Sequence, residues 1–514
     1  MAAAVAASAA CADSSGGSGG NPAEPGPWMP GAFQPASTLA AQCAAPRTGI
    51  DPVTGAAYPD KPGSTLAEND WLRSWTRDLY LWYREVPDLD PGAYATTADY
   101  FGVLKTSATT PSGNPKDRFH FTYATAQWEA LSQSGIAAGY GAQWVVIASR
   151  PPREVVVAYT QPNSPATAVD IARGAHVLAV DGVDLVNASD SASLDTLNAG
   201  LFPSAPGGSH TFSILDLGAS SSRTVTMVAT DVTETPVQNV GTIAARSGTI
   251  GYMLFNDHIA TAEALLISAI SQLQGVGVSD LVLDIRYNGG GYLDIASELA
   301  YMIAGPGATA GQTFERTVFN DKYAATDPVT GRPLTPMLFH DTSRGFSSPE
   351  GQALPTLGLP RVVVLSSPNT CSASEAIING LRGVGVDVIQ IGTTTCGKPY
   401  GFYPQDNCGT TYFSIEFQGV NAQGFGDYPD GFSPVNTASG PGVALPGCSV
   451  ADDFSHALGD PAEARLSAAL DYLANQTCPP PAAASTNPDM VRGASATDGL
   501  AQKSPWRENR IYRP

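Results

Sequence analysis

Apolar positions recur along this chain with two periods, and the switch between them marks its organisation. Trp71, Leu72, Trp75, Leu79 and Trp82 fall at helical spacing and predict an amphipathic helix over residues 70–82 with an aromatic face. A second helix is expected over 94–104, so residues 66–130 read as a small helical domain. Short β-branched runs then take over at 145–147 and 155–159, with further strands within 211–228. Ser164-Pro165-Ala166 opens a short helical stretch that ends at Gly174, and a strand and turn follow over 178–182. Residues 131–240 therefore read as a β domain.

From Gly248 onward strands and helices alternate. Strands are expected at 250–255, 281–286, 362–365 and 386–391, and helices at 260–273, 292–303 and 462–473, with another opening at Ser372. Continuous apolar runs of this length belong to strands buried on both faces, which predicts an α/β core with parallel strands over 241–478.

Composition bounds the function. With 514 residues and a net charge of −20, the chain should hold several domains and lacks the clustered Lys and Arg that nucleic acid requires. No apolar run approaches the roughly 18 residues of a membrane span. Residues 1–65 are a leader and linker rich in Pro, Gly and Ala. Its small apolar residues 2–10, then Cys11 and a Ser/Gly tether, resemble the end of a bacterial lipoprotein signal with Cys11 as the lipidated residue; a low-complexity leader is the alternative. The remaining cysteines, Cys43, Cys371, Cys396, Cys408, Cys448 and Cys478, are even in number, as disulfides in an oxidising compartment require. Their connectivity is open, and buried free thiols are the other reading. Absence of a CxxC pair argues against zinc, and neither metal nor cofactor is expected. Residues 479–514 read as a flexible tail that turns basic from Trp506.

Candidate chemistry lies beyond the carboxyl ends of the predicted parallel strands, where such sheets collect ligands. Ser372 and Lys398 both sit there, and so does the Asn288-Gly289-Gly290-Gly291 turn, whose N–H groups suit an anion. Three motif matches carry less. The G-x-S-x-G at 16–20 lies in the tether without a flanking strand or helix, and the P-loop match at 392–398 has Pro399 where Mg²⁺ needs a hydroxyl. Ser372-x-x-Glu375 is a capping box, which accounts for both residues without catalysis.

The pieces gain weight together. Ser164-Pro165-Ala166, Gly174 and the Leu178-Ala179-Val180-Asp181-Gly182 run resemble the core of a PDZ domain, with Ala175 where an Asp is usual. That resemblance makes Gly139-Tyr140-Gly141 the loop that would hold a peptide carboxylate. Asp284-x-Arg286-x-Asn288-x-Gly290-Gly291, Ser372-Ala373-Ser374-Glu375 and Gly397-Lys398 resemble, in order, the tail-specific or carboxy-terminal processing serine peptidases. The family implies a PDZ-like β domain joined to an α/β peptidase core of the crotonase/Clp-protease type, here preceded by the helical domain. It also implies Ser372 as nucleophile, Lys398 as general base, and the amides of Gly290 and Ala373 as the oxyanion hole. The expected activity is an envelope-localised endopeptidase, periplasmic or on the outer surface, acting on proteins or peptides near their carboxy termini. Membrane contact would come only through lipid at Cys11.

A lysine base must be neutral, so its reference pKa of about 10.4 has to fall by roughly 3 units, which demands burial. The chain departs from the family at Phe402, where many members carry Gln, and at Gly383, where others carry Asp, so Gln405 becomes the candidate to orient Lys398. A histidine triad would instead use His120, His258, His340 or His456. Two rivals remain: a silent peptide-binding protein with Ser372 as a helix cap, and a hydrolase of a non-peptide ester or amide.

Overall fold

The computed structural model describes residues 27–480, apart from 53, 246–247 and 438–441, together with the backbone of Asn509–Arg510. Cys11 and the match at 16–20 lie outside the described residues.

A six-stranded sheet organises the core. Its strands are β1 (Val237–Ala245), β2 (Gly248–Phe255), β3 (Asp280–Asp284), β4 (Arg361–Ser366), β5 (Asp387–Gly392) and β6 (Gly447–Ser449). They lie side by side in that order, with β1 antiparallel to β2 and every later pairing parallel. Helices α1 (Ala262–Val276), α2 (Leu293–Ala304) and α3 (Ala373–Gly383) make the crossovers, and α4 (Ala464–Asn475) follows β6. Alternation along β4 shows why its run is unbroken: Val362 and Val364 pack with α1, α2 and α3, whereas Val363 and Leu365 pack with Leu466 and Leu473 of α4. Both faces are covered, and the carboxyl ends of β3, β4 and β5 open toward one edge of the core.

Residues 142–228 form an antiparallel sheet of strands Ala142–Ala148, Glu154–Thr160, His176–Val180, the short Val183–Asp184, Ser209–Leu215 and Arg223–Val228. Val157, Val177, Phe212 and Ile214 fill its interior with Leu197 and Leu201 of the helix Ser191–Leu201. The apolar pattern did not predict that helix. The short helix Pro165–Ala168 does follow Ser164, whose side chain caps it. Arg173 docks this unit on the core, donating to Asp452, the Tyr287 hydroxyl and the His456 carbonyl.

The amino-terminal region is less separate than its helical pattern implies. Its first long helix is Thr65–Leu79, beginning five residues earlier than expected because Ser64 accepts from Ala67 N–H as the cap. A shorter helix, Thr97–Val103, falls inside the second predicted span. Trp71 and Trp75 stack with centroids 5.3 Å apart, and Trp71 lies 5.4 Å from Tyr412 of the core. Strand Phe121–Ala124 pairs antiparallel with Thr410–Phe413, and Cys43 is disulfide-bonded to Cys408. Cys371–Cys396 and Cys448–Cys478 complete the set, so the six cysteines among the described residues are all paired. At the far end, Asn509–Arg510 is a short strand rather than irregular tail, lying parallel to Gly291–Tyr292.

Candidate active site

The chain leaves β4 and turns sharply before α3, and Ser372 occupies the corner. Its backbone has φ +62° and ψ −119°, a region costly for a non-glycine residue by about 1–3 kcal/mol. Surrounding bonds hold it there. Thr370 Oγ1 donates to the Ile285 carbonyl at 2.9 Å, Cys371 N–H to the Asn288 carbonyl at 3.1 Å, and Ser374 Oγ to that same carbonyl at 3.0 Å. Glu375 Oε2 accepts from Ser372 N–H at 3.1 Å, but the Ser372 hydroxyl makes no hydrogen bond of its own. That hydroxyl faces the Glu375 N–H in capping-box geometry without forming a cap hydrogen bond. Ala373, the first residue of α3, has an N–H without an intrahelical acceptor.

Beside the corner lies the glycine turn that follows β3. Asn288 Oδ1 accepts from Gly290 N–H at 3.0 Å and meets His258 Nδ1 at 2.9 Å, while its Nδ2 donates to the Phe255 carbonyl at 3.0 Å. Gly291 has φ +140°, and a Cβ there would lie 2.5 Å from the His258 carbonyl oxygen, so only glycine fits. Below the turn, Arg286 is fully buried and bonds to Asp284, Asp452 and Glu463. The conspicuous Asp284-x-Arg286 pair thus anchors the end of β3, with Tyr252 donating its hydroxyl to Asp284 at 2.7 Å.

The loop after β5 brings Lys398 to the same place. One carboxylate fastens it: Glu375 Oε1 accepts from Gly397 N–H at 2.8 Å and from Thr395 Oγ1, and Oε2 accepts from Lys398 N–H at 2.8 Å. Burial pushes the Glu375 carboxyl up from its ordinary value, opposed by these hydrogen bonds and that from Ser372. The Cys371–Cys396 disulfide adds a covalent tie between the residue before Ser372 and one two places before Lys398. Cys371, Glu375 and Cys396 place a carboxylate and two sulfurs within 4.8 Å, but joining the sulfurs withdraws the thiolates a metal would need.

Lys398 is wholly buried, with Nζ 4.2 Å from the Phe402 ring centroid and 5.3 Å from that of Phe119. Phe119 comes from the amino-terminal region, and neighbouring Arg118 donates to the Cys396 carbonyl. Burial pulls the Arg118 guanidinium down, against the nearby Glu375 and Asp430 carboxylates. Nothing in the local pattern marked Phe119 as a wall of this pocket.

Other candidates fall elsewhere. Gln405 donates to the Asp406 carbonyl, and the strand it sits on pairs with residues 410–412. His120, His340 and His456 face Phe101, Asp294 and Asp453 respectively, whereas His258 underlies the glycine turn. Gly139-Tyr140-Gly141 borders a cleft of about 130 Å³ that also touches Trp144, Leu201 and Phe202. Sequence reasoning read Glu375 as a cap and left the connectivity of the cysteines open. The signal was present in the adjacency of Cys371 and Cys396 to the two candidate residues.

A family model described as Peptidase family S41 matches residues 249–402, and one described as Peptidase S41 N-terminal domain matches residues 67–123. A carboxyl-terminal-processing protease from Picosynechococcus sp. is 26% identical over 275 residues, covering 52% of this chain and 56% of that one. The match therefore spans little more than half of that relative's length. Among solved structures, an S41 protease candidate from Bacteroides fragilis shares the fold at a TM-score of 0.59 and 22% identity, over 82% of this chain and 98% of that one. The photosystem II D1 C-terminal processing protease is similar at a TM-score of 0.43 and 19% identity, over 74% and 94% of the two chains.

Proposed function

The chain belongs to the carboxy-terminal processing serine peptidases, and from that premise we propose that Ser372 is its nucleophile and Lys398 the general base. One observation carries the reading: a strained, buried serine with an unengaged hydroxyl shares a single carboxylate oxygen with the backbone of a buried lysine. Ser372 Oγ attacks the scissile carbonyl carbon as its proton passes to the neutral Lys398 amine. Ala373 N–H, at the positive end of α3, receives the developing oxyanion. Gly290 N–H is its partner donor, and the substrate oxygen competes for it with Asn288 Oδ1. Lys398 returns the proton to the leaving amine, and water then hydrolyses the acyl-enzyme.

The six-stranded unit over 142–228 is read as PDZ-like, with the cleft beside Gly139-Tyr140-Gly141 receiving a carboxy-terminal peptide. Three disulfides support an oxidising compartment, in keeping with an envelope location and lipid at Cys11. The engagement of Gly290 N–H by Asn288 favours the rival, a silent peptide binder.

One experiment separates the two. Ser372→Ala and Lys398→Ala are compared with the parent on a protein bearing an unstructured carboxy terminus, with products read by mass spectrometry. Both variants should lose cleavage and keep peptide binding. Cleavage that persists unchanged in Ser372→Ala overturns the assignment, and a parent chain that binds but never cleaves establishes the silent binder.

A further inference from the structure

The basic end of the chain, Trp506-Arg507-Glu508-Asn509-Arg510-Ile511-Tyr512-Arg513-Pro514, has no role in the chemistry above. Its backbone nevertheless reaches the candidate site. Asn509 pairs with Gly291 and Arg510 with Tyr292 in parallel register. Gly291 bridges to His258 on its other side, so the tail adds a third lane to a small patch of sheet built on the oxyanion turn. Across from that turn, Tyr400–Gly401 of the base loop comes within 8 Å of Asn509–Arg510, measured between Cα atoms. The tail strand is therefore bounded by the turn that holds Gly290 and by the loop that holds Lys398.

We propose that the groove between these two segments is a strand-addition site for an extended peptide, and that the chain's own carboxy terminus occupies it in competition with substrate. This deepens the reading of the site given above and rests on it. Three observations support it. Backbone pairing of this kind recognises any extended peptide, as a processing enzyme must. The tail carries three arginines and one glutamate on a chain whose net charge is −20, so the charges of tail and body attract one another. Twenty-eight residues separate Pro480 from Asn509, a contour of about 95 Å, so chain length does not restrict its return. A tethered ligand of this kind meets its site at an effective concentration of about 1 mM. A tail whose free peptide binds with a Kd near 0.1 mM would then raise the apparent KM about tenfold and leave kcat unchanged.

The test compares the full chain with one ending at Lys503 and with the full-length double variant Asn509→Pro/Arg510→Pro, which removes two backbone N–H groups. Both altered chains should show a KM several-fold lower at equal kcat, and the synthetic peptide 504–514 should inhibit the shortened chain competitively. Equal KM in all three chains with no inhibition by millimolar peptide overturns the proposal. Repeating the binding with Ser372→Ala chains and a fluorescent 504–514 peptide makes the result independent of catalysis. Tighter binding to the shortened chain than to the full one supports the proposal even where no chain cleaves anything, in which case only the peptidase reading fails. Equal binding to both overturns it.

Discussion

Ser372 N–H and Lys398 N–H donate to the same oxygen, Glu375 Oε2, at 3.1 and 2.8 Å. Two residues from different loops are thus positioned against one atom, and the other oxygen of that carboxylate holds Gly397 and Thr395.

Replacing Glu375 tests this arrangement. Glu375→Gln keeps the shape but turns one acceptor into a donor facing N–H groups, so the base loop must shift. A displacement of about 1 Å in such a site costs on the order of 100-fold. The expected outcome is a kcat lower by that factor with KM little changed, read by steady-state kinetics. A kcat within twofold of the parent would show that the shared carboxylate is a fold element only.

The Cys371–Cys396 bond is the second tie. It closes a loop with a sequence separation of 25, for which the chain-entropy estimate is on the order of 3 kcal/mol. Cys371→Ala/Cys396→Ala should lower the thermal midpoint by several degrees. It should also lower kcat at 25 °C, because the two residues it joins flank Ser372 and Lys398. Activity measured with and without a dithiol reductant should fall further in the parent than in the double variant, in which only Cys43–Cys408 and Cys448–Cys478 remain to be reduced.

Glu315 sets a pH dependence of stability. It is fully buried in strand Thr313–Phe319, and burial pushes its carboxyl from 4.5 up to about 8. Between those values the folded chain holds a proton that the unfolded chain has released. Its contribution is therefore complete below pH 4.5 and declines as pH rises toward about 8, by up to roughly 4 kcal/mol. Glu298, raised to about 9 by burial and by Glu263, acts in the same direction. Urea midpoints from pH 5 to 8.5 should fall in the parent and fall less in Glu315→Gln; equal slopes would refute the account.

Arg286 is the structural counterpart. Its guanidinium serves Asp284, Asp452 and Glu463, all within the interior. For Asp452, burial works upward but Arg465, Arg286 and Arg173 override it and hold the carboxyl far below its usual range. Arg286→Met leaves buried carboxylates uncompensated and should cost about 3–5 kcal/mol. Since Arg173 of the β unit also bonds to Asp452, limited proteolysis should cut between that unit and the core sooner in the variant.

Strands β2 to β5 of the core were readable because each is buried on two faces, so Val362–Val363–Val364–Leu365 appears as an unbroken apolar run, whereas the half-exposed β1 and the three-residue β6 were not. The helix Ser191–Leu201 was not, since it buries only Leu197, Gly200 and Leu201 and is otherwise small and polar. Ser372, Lys398 and the glycine turn were legible as an ordered set of short motifs. Glu375 hid behind its own motif, because a cap and a clamp need the same residue at the same spacing. Strand Phe121–Ala124 was invisible for another reason: its partner lies 286 or more residues away, and local pattern carries no trace of that pairing.

That distant pairing has a consequence for biosynthesis. Phe119 closes the Lys398 pocket, Cys43 waits for Cys408, and strand Phe121–Ala124 waits for Thr410–Phe413. A ribosome delivers the front half of each pair long before the back half. The pocket around Lys398 therefore cannot close until most of the chain has emerged, and its covalent tie forms only where an oxidant is present.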